Sequence, residues 1–240
     1  MRRGLITLLM LTASLWCASA ALATDKRNVY ALVIGLDAYG GNTDTPPDAD
    51  ALSVAARFRG TFGFDPDVLT NDDATMGAVR RRLLETIPSL PAESFIFIYF
   101  AGHGEAIGDE LVLQLHAATP NDPYSASVHV EDIFRAVKRV PRSRALIILD
   151  CCYSGGRPNW LIDHQADFSH QNIRVVGLAS SARGEQTKGG VFTRTLLEYW
   201  SEVGQHCTNA FEIEKDIQDR IDAKAEADPS ILMAANVFMG

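Results

Sequence analysis

Four continuous apolar runs constrain the fold of this chain more than any other feature. They are rich in Val, Ile, Leu and aromatic residues, and they span residues 28–35, 94–101, 144–150 and 173–179. A run without polar alternation is typical of a strand that is buried on both faces. Segments with helical periodicity lie between or after these runs, at residues 48–62, 74–87, 130–140, 192–203 and 210–227. This alternation predicts an α/β fold with a mostly parallel central sheet and right-handed helical crossovers.

Two shorter segments complete the predicted architecture. Residues 111–115 are expected to form a small hairpin beside the main sheet, and residues 231–239 a closing strand at one edge. The chain has 240 residues, of which 47 % are hydrophobic and 22 % charged. This length and balance suit a single domain that buries a substantial core.

The first 23 residues differ from the rest of the chain. Arg2 and Arg3 precede an apolar run at 4–16, and small residues follow at 18–20 and 21–23. This layout predicts a signal peptide at 1–23 and an exported domain at 24–240, in the periplasm or outside the cell. An uncleaved membrane anchor is a weaker alternative, because the apolar run falls short of the roughly 20 residues that span a bilayer. Lipid attachment at Cys17 is disfavoured by the bulky Trp16 before it.

The net charge and the cysteine content bear on the partners of the protein and on its reactivity. The formal net charge is -8, and loss of Arg2 and Arg3 with the signal peptide would make it -10. Such an acidic balance argues against nucleic acid as a partner. Export would leave Cys151, Cys152 and Cys207, an odd number in a compartment where cysteines usually pair. An unpaired thiol in that setting is a candidate for reactivity.

Polar residues follow three of the predicted strands, at the point where each strand ends. In open α/β sheets, ligands and catalytic groups gather beyond the carboxyl ends of the strands. The three strand exits carry Gly35-Leu36-Asp37, Gly102-His103-Gly104 and Asp150-Cys151-Cys152, and Asp48-Ala49-Asp50 opens the first helix. Gly102-His103-Gly104 is not followed by Gly-Lys-Ser/Thr, which argues against a nucleotide site.

His103 and Cys152 form a candidate catalytic pair. Taken singly, the histidine is explained as a cap on the sheet and the cysteine as a small core residue. Both residues follow apolar strands, however, and one crossover's length of chain separates them. An imidazole beside a thiol can take its proton and leave a strong nucleophile. The backbone N–H groups of Gly104 and Cys152 are then the candidate oxyanion donors, and one such donor is worth roughly 3 to 4 kcal/mol of barrier.

Three motifs in the chain resemble those of the caspase and metacaspase clan, and bacterial metacaspase-like proteins most closely. The motifs are residues 99–104 (Tyr-Phe-Ala-Gly-His-Gly), 150–155 (Asp-Cys-Cys-Tyr-Ser-Gly) and 191–193 (Val-Phe-Thr). The resemblance implies a caspase-like three-layer αβα sandwich from residue 30 to the final strand. It also implies a cysteine endopeptidase in which Cys152 is the nucleophile and His103 the general base.

The same resemblance implies a specificity. Asp150 stands where metacaspases carry an acid that lines the pocket for the residue before the scissile bond, and Asp50 matches a second pocket acid. Two carboxylates would favour cleavage after Arg or Lys and repel acidic side chains. The structural alternative is that Asp50 caps its helix and that Asp150 orders the loop around the cysteine. Ala101 replaces a serine that often precedes Gly-His-Gly in metacaspases, which removes one polar group from the expected pocket.

The expected partner is a protein or peptide substrate, with no stable membrane insertion. No cofactor and no metal ligands are predicted, and calcium activation, which some members of the clan show, stays open because no clear acidic cluster marks a calcium site. The alternatives to a peptidase are a catalytically silent or partner-dependent regulatory domain, and a thiol–disulfide exchanger at Cys151-Cys152. The latter is disfavoured because redox enzymes normally use Cys-x-x-Cys.

Overall fold

Six strands form the central sheet of the computed structural model, which describes residues 28–37, 47–108, 110–118, 125–152, 168–180, 190–203, 210–227 and 236–239. The strands of the described residues are β1 Val29–Gly35, β2 Asp67–Thr70, β3 Phe95–Ala101, β4 Gly104–Ile107, β5 Glu110–Gln114, β6 Ser127–His129, β7 Arg144–Asp150, β8 Arg174–Ala179 and β9 Asn236–Met239. The central sheet has the order β2-β1-β3-β7-β8-β9. Its first five strands are parallel, and β9 pairs antiparallel with β8. The predicted mostly parallel sheet and its closing edge strand are therefore confirmed.

The α-helices of the described residues are α1 Pro47–Phe62, α2 Met76–Arg81, α3 Val130–Lys138, α4 Val191–Val203 and α5 Ala210–Ala227. Helix α2 continues as a π-helical turn, Arg82–Thr86, and a 3₁₀ turn, Ile87–Ser89. A short 3₁₀ turn, Asn71–Asp73, precedes it. The predicted start at residue 74 is two residues early, because the Thr75 side chain caps α2 by accepting a hydrogen bond from the Ala78 N–H at 3.2 Å. None of these helices is long and apolar enough to cross a membrane.

Helices cover both faces of the central sheet. On one face, α1, α4 and α5 contribute Phe58, Phe192 and Ile217 to a core with the sheet. On the other face, α2, its π-helical extension and α3 pack against alternate residues of the same strands. All seven residues of β3 are buried, which explains why its sequence is apolar throughout instead of alternating. The three-layer αβα sandwich is thus confirmed.

A second, smaller sheet adjoins the carboxyl edge of β3. It contains β4, β5 and β6 in antiparallel order, and the segment predicted as a hairpin at 111–115 is one strand of it, β5. Strand β4 begins at Gly104, one residue after His103. The His103 carbonyl accepts a hydrogen bond from the Gln114 N–H at 2.9 Å. The segment carrying His103 is therefore attached to the smaller sheet.

Several predicted features lie outside the described residues. They are the signal peptide at 1–23 with its alternative modification site Cys17, the third cysteine Cys207, residues 153–155 of the cysteine motif and residues 231–235.

Candidate active site

Strands β3 and β7 bring His103 and Cys152 to the same edge of the central sheet. The two strands are adjacent and parallel, and Ala101 is paired with Asp150 in their register. The Gly102 N–H extends this pairing by donating to the Asp150 carbonyl at 3.2 Å. His103 and Cys152 each follow two residues beyond the Ala101–Asp150 pair. Both residues therefore lie just beyond the carboxyl ends of neighbouring strands.

The backbone after His103 lies against the two cysteines. A Cβ atom added to Gly104 would lie 2.5 Å from the Cys152 carbonyl oxygen and 2.8 Å from Cys151 Sγ. Real Cβ atoms do not approach backbone oxygen so closely, so only glycine fits at this position. The absence of a side chain lets the His103-Gly104 backbone contact the backbone of the cysteine segment.

The two adjacent cysteines have different environments. Cys151 is fully buried in the hydrophobic core, whereas Cys152 is partly exposed. Neither forms a disulfide. A buried thiol in an apolar core acts as a small hydrophobic residue, while an accessible one can reach a substrate. This difference agrees with the reading frame in which Cys152, and not Cys151, is the candidate nucleophile.

His103 has an exposed side chain at the edge of the site. Partial desolvation by the surrounding protein lowers the pKa of His103, and the Asp37 carboxylate opposes this shift. A lowered pKa favours the neutral imidazole near pH 7, which is the form that can accept a proton. Asp37 was noted in the sequence only as part of a strand exit. In the structure, the negative charge of Asp37 interacts with His103. The Asp37 backbone N–H donates a hydrogen bond to the Asn71 side-chain oxygen at 2.9 Å.

Asp50 and Asp150 form a buried acidic pair beside this edge. Asp50 lies in the first turn of α1 and is 5 % exposed, and Asp150 ends β7 and is 7 % exposed. Burial and the charge of Asp150 raise the pKa of Asp50 to about 7, with Arg194 opposing the shift. Burial also raises the pKa of Asp150. Two carboxylates in one low-dielectric site resist simultaneous ionisation, so a positive charge beside them, such as that of Arg194, is favoured.

The capping interpretation of Asp50 is wrong. Helix α1 begins at Pro47, so Asp50 is the fourth residue of the helix and not the residue before its first turn. The capping role needs a side chain at the helix boundary. The buried carboxyl of Asp50 instead interacts electrostatically with Asp150.

Three hydroxyl residues that the sequence analysis did not assign surround Asp150. The Thr193 hydroxyl donates to Asp150 Oδ2 at 2.6 Å, and the Tyr99 hydroxyl lies 2.5 Å from Thr193 Oγ1. The Ser180 hydroxyl donates to the Cys151 carbonyl at 3.5 Å and also lowers the pKa of Asp150. Ser180 directly follows β8, so the rule that site residues follow strands would have found it. Tyr99 lies inside an apolar run, and nothing in the sequence distinguishes it from a core aromatic residue.

Comparison with known proteins identifies the family. Residues 28–231 match the caspase domain. The chain belongs to the caspase-domain family of cysteine peptidases. The caspase domain described here is similar to the crystal structure of a protein from Geobacter sulfurreducens, with a TM-score of 0.63 and 17 % sequence identity. The similarity covers 89 % of this chain and 93 % of that one, and at this identity it concerns the fold alone. No curated protein matches the chain.

Proposed function

We propose that this caspase domain is a cysteine endopeptidase that hydrolyses peptide bonds after Arg or Lys, with Cys152 as nucleophile and His103 as general base. The observation that carries the proposal is the buried pair Asp50 and Asp150: Asp150 ends β7 two residues before the partly exposed Cys152, and Asp50 lies in the first turn of α1. An acidic pocket beside a thiol suits a substrate with a cationic side chain next to its reacting carbonyl.

The chemistry uses groups of the protein and water. His103 accepts the Cys152 thiol proton, and the thiolate attacks the scissile carbonyl carbon to form a C–S bond. The backbone N–H groups of Gly104 and Cys152 stabilise the oxyanion. The C–N bond then breaks as the imidazolium gives its proton to the leaving amine. Water, deprotonated by His103, hydrolyses the thioester and regenerates the thiol.

Specificity arises from charge. An Arg or Lys side chain would make charge-assisted hydrogen bonds with the carboxylates, each worth roughly 1.5 to 3 kcal/mol. An Asp side chain would be repelled by Asp150, whose burial leaves little water to screen the charges. Activity after Arg or Lys should therefore exceed activity after Asp by at least about tenfold.

The decisive experiment compares matched fluorogenic peptides that differ only in Arg, Lys or Asp before the scissile bond, with and without calcium. Asp150→Asn should reduce turnover of Arg peptides more than it reduces alkylation of Cys152 by a small reagent. Cleavage after Asp, or unchanged Arg turnover in Asp150→Asn, would contradict the acidic pocket. Absence of any hydrolysis would favour the catalytically silent regulatory domain.

The location of the protein forms a separate part of the proposal. The basic start, short apolar run and small residues predict cleavage between about Ala20 and Thr24 during export. N-terminal sequencing of the protein from the expressing cell and its medium tests this. Recovery of an intact N-terminus from the cytoplasm would overturn the assignment without affecting the peptidase proposal.

A further inference from the structure

A buried chain of hydrogen bonds connects Tyr99, Thr193 and Asp150. Thr193 Oγ1 lies 2.5 Å from the Tyr99 hydroxyl and 2.6 Å from Asp150 Oδ2. The Thr193 hydroxyl has one proton, and that proton is donated to the carboxylate. The Tyr99 hydroxyl must therefore donate to Thr193. The direction of these hydrogen bonds is therefore fixed, from Tyr99 to Thr193 to Asp150, and Asp150 is the final acceptor.

The three residues come from different elements and are withdrawn from water. Tyr99 lies on β3, Asp150 on β7 and Thr193 in the first turn of α4; Tyr99 and Thr193 are 0 % exposed. Burial and the charges of Asp150 and Asp50 raise the pKa of Tyr99, which keeps its phenol protonated and able to donate. In this enclosed setting a mispaired hydroxyl is costly, so the orientation of each group is well defined.

We propose that Thr193, held in place by Tyr99, is a positioning residue that keeps Asp150 ionised and correctly oriented in the specificity pocket. In this arrangement Asp150 supplies the permanent negative charge of the pocket, and Asp50 is the member of the pair that gains and loses a proton. This inference rests on the proposed cleavage after Arg or Lys.

The two carboxyls differ in their hydrogen bonds, which is the basis of this division of roles. Asp150 accepts hydrogen bonds from the Thr193 hydroxyl and the Thr193 backbone N–H, and both lower its pKa against the effect of burial. Asp50 receives no such bond from the described part of the chain. Donors directed at a carboxylate stabilise its ionised form. The proton shared by the pair is therefore expected on Asp50.

Thr193 also replaces a polar group that the strand lacks. Ala101 is paired with Asp150 in the register of β3 and β7, and its side chain offers no hydrogen bond. The hydroxyls near Asp150 come instead from Thr193 on α4 and from Ser180 after β8. The specificity pocket therefore depends on how α4 packs on the sheet, and not on the β3 motif alone.

The test compares Thr193→Val with Thr193→Ser and with Thr195→Val. Thr195 is a matched control because it is also fully buried on α4, but its hydroxyl donates to the Val191 carbonyl at 2.8 Å. Thr193→Val should raise KM for Arg peptides by about tenfold or more with a smaller change in kcat. Thr193→Ser should stay within about threefold of the wild type, and Thr195→Val should leave KM unchanged.

A pH profile separates positioning from a merely structural role. Without the Thr193 hydroxyl, the pKa of Asp150 should rise, so the acid limb of kcat/KM for Arg peptides should move to higher pH in Thr193→Val but not in Thr195→Val. Tyr99→Phe should shift in the same direction to a smaller extent, because Thr193 keeps its bond to Asp150. If Thr193→Val does not fold, Tyr99→Phe tests the inference in its place.

Failure of this inference is distinguishable from failure of the proposed function. If the wild-type enzyme does not cleave after Arg or Lys, the proposed function is wrong. If it does, and Thr193→Val and Tyr99→Phe keep both the wild-type KM and the wild-type pH profile, Thr193 is not a positioning residue. Binding of a labelled Arg peptide to Cys152→Ala, with and without Thr193→Val, repeats the comparison without turnover and should show the same loss of affinity.

Discussion

Gly104 contacts the carbonyl of Cys152 so closely that no side chain fits between them: an added Cβ would lie 2.5 Å from that oxygen. Gly104→Ala should therefore displace the segment that carries His103 or the segment that carries Cys152. We expect a loss of kcat/KM of at least about a hundredfold, equivalent to roughly 2.7 kcal/mol, together with a stability cost of about 1 to 3 kcal/mol.

Gly60→Ala is the control for this prediction. Gly60 lies in α1, and a Cβ added there meets nothing within 4 Å. Because alanine is a better helix former than glycine, this variant should keep its activity and gain up to about 1 kcal/mol. Peptide hydrolysis and thermal unfolding of both variants measure the two effects. Full activity in Gly104→Ala would show that the close contact has no part in the chemistry.

The contrast between the two cysteines yields a second prediction. Cys152→Ala and His103→Ala should abolish hydrolysis and leave thermal stability nearly unchanged, because Cys152 is only partly buried and His103 is exposed. Cys151→Ala should keep most of the activity but lower the stability by about 0.5 to 3 kcal/mol, because it leaves a small cavity in the core. An inactive Cys151→Ala combined with an active Cys152→Ala would reverse the assignment of the nucleophile.

The raised pKa of Asp50, about 7, predicts a pH dependence of substrate affinity. Asp50 is neutral below this pH and negative above it, so KM for Arg peptides should fall as the pH rises from 6 to 8. Asp50→Asn should remove this change while leaving the weaker affinity seen at low pH. The measurement is KM across this range, with a peptide carrying uncharged Gln in place of Arg as the control substrate.

The raised pKa of Asp50 also makes the free energy of unfolding depend on pH, and the direction of this dependence can be stated. The pKa of Asp50 is higher in the folded protein than its ordinary value of 3.8, so folding favours the protonated form. This contribution is fully present below the ordinary pKa and is lost as the pH rises through about 7. Asp50→Asn should therefore be more stable than the wild type at pH 8, with a smaller difference at pH 4. Urea denaturation at the two pH values tests this sign.

Arg194 provides a further test of Asp50. The two residues line one cavity of about 360 Å³ between α1 and α4, and the positive charge of Arg194 lowers the pKa of Asp50. Arg194→Ala should therefore move the pH dependence of KM to higher pH. Arg59→Ala is a suitable control, since Arg59 is exposed on α1 and pairs with Asp65. Identical profiles for the two variants would mean that Arg194 does not act on Asp50.

The long apolar runs predicted the strands of the central sheet because a strand buried on both faces has little tolerance for polar residues. Strands β1, β3, β7 and β8 begin within one residue of the predicted positions and end where predicted. The shorter strands β2, β4 and β6 have three or four residues and were not predicted. Such segments are defined by the strands with which they pair, and a local pattern does not contain that information.

For the candidate site, too, some features could be predicted from the sequence and others could not. His103 and Cys152 follow strands and Asp150 ends one, so their common location could be predicted from the order of elements. The contact of Thr193 with Asp150 spans 43 positions and depends on the packing of α4 against the sheet. The bond between Tyr99 and Thr193 becomes evident only from the position of the Tyr99 hydroxyl in the structure. Hydrogen bonds that form through packing between layers have no period and no fixed spacing in the sequence.

His103 and Cys152 both follow strands of the central sheet, but His103 is also bonded to the smaller sheet. Cys152 follows β7 in the centre of the fold, whereas the His103 carbonyl accepts a hydrogen bond from the Gln114 N–H of the smaller sheet at 2.9 Å. A displacement of β5 would therefore act directly on the backbone of His103. In the proposed mechanism, this movement would change the distance between the imidazole and the Cys152 thiol. Under the proposed function, we expect changes in the smaller sheet to alter turnover and changes between α1 and α4 to alter substrate affinity.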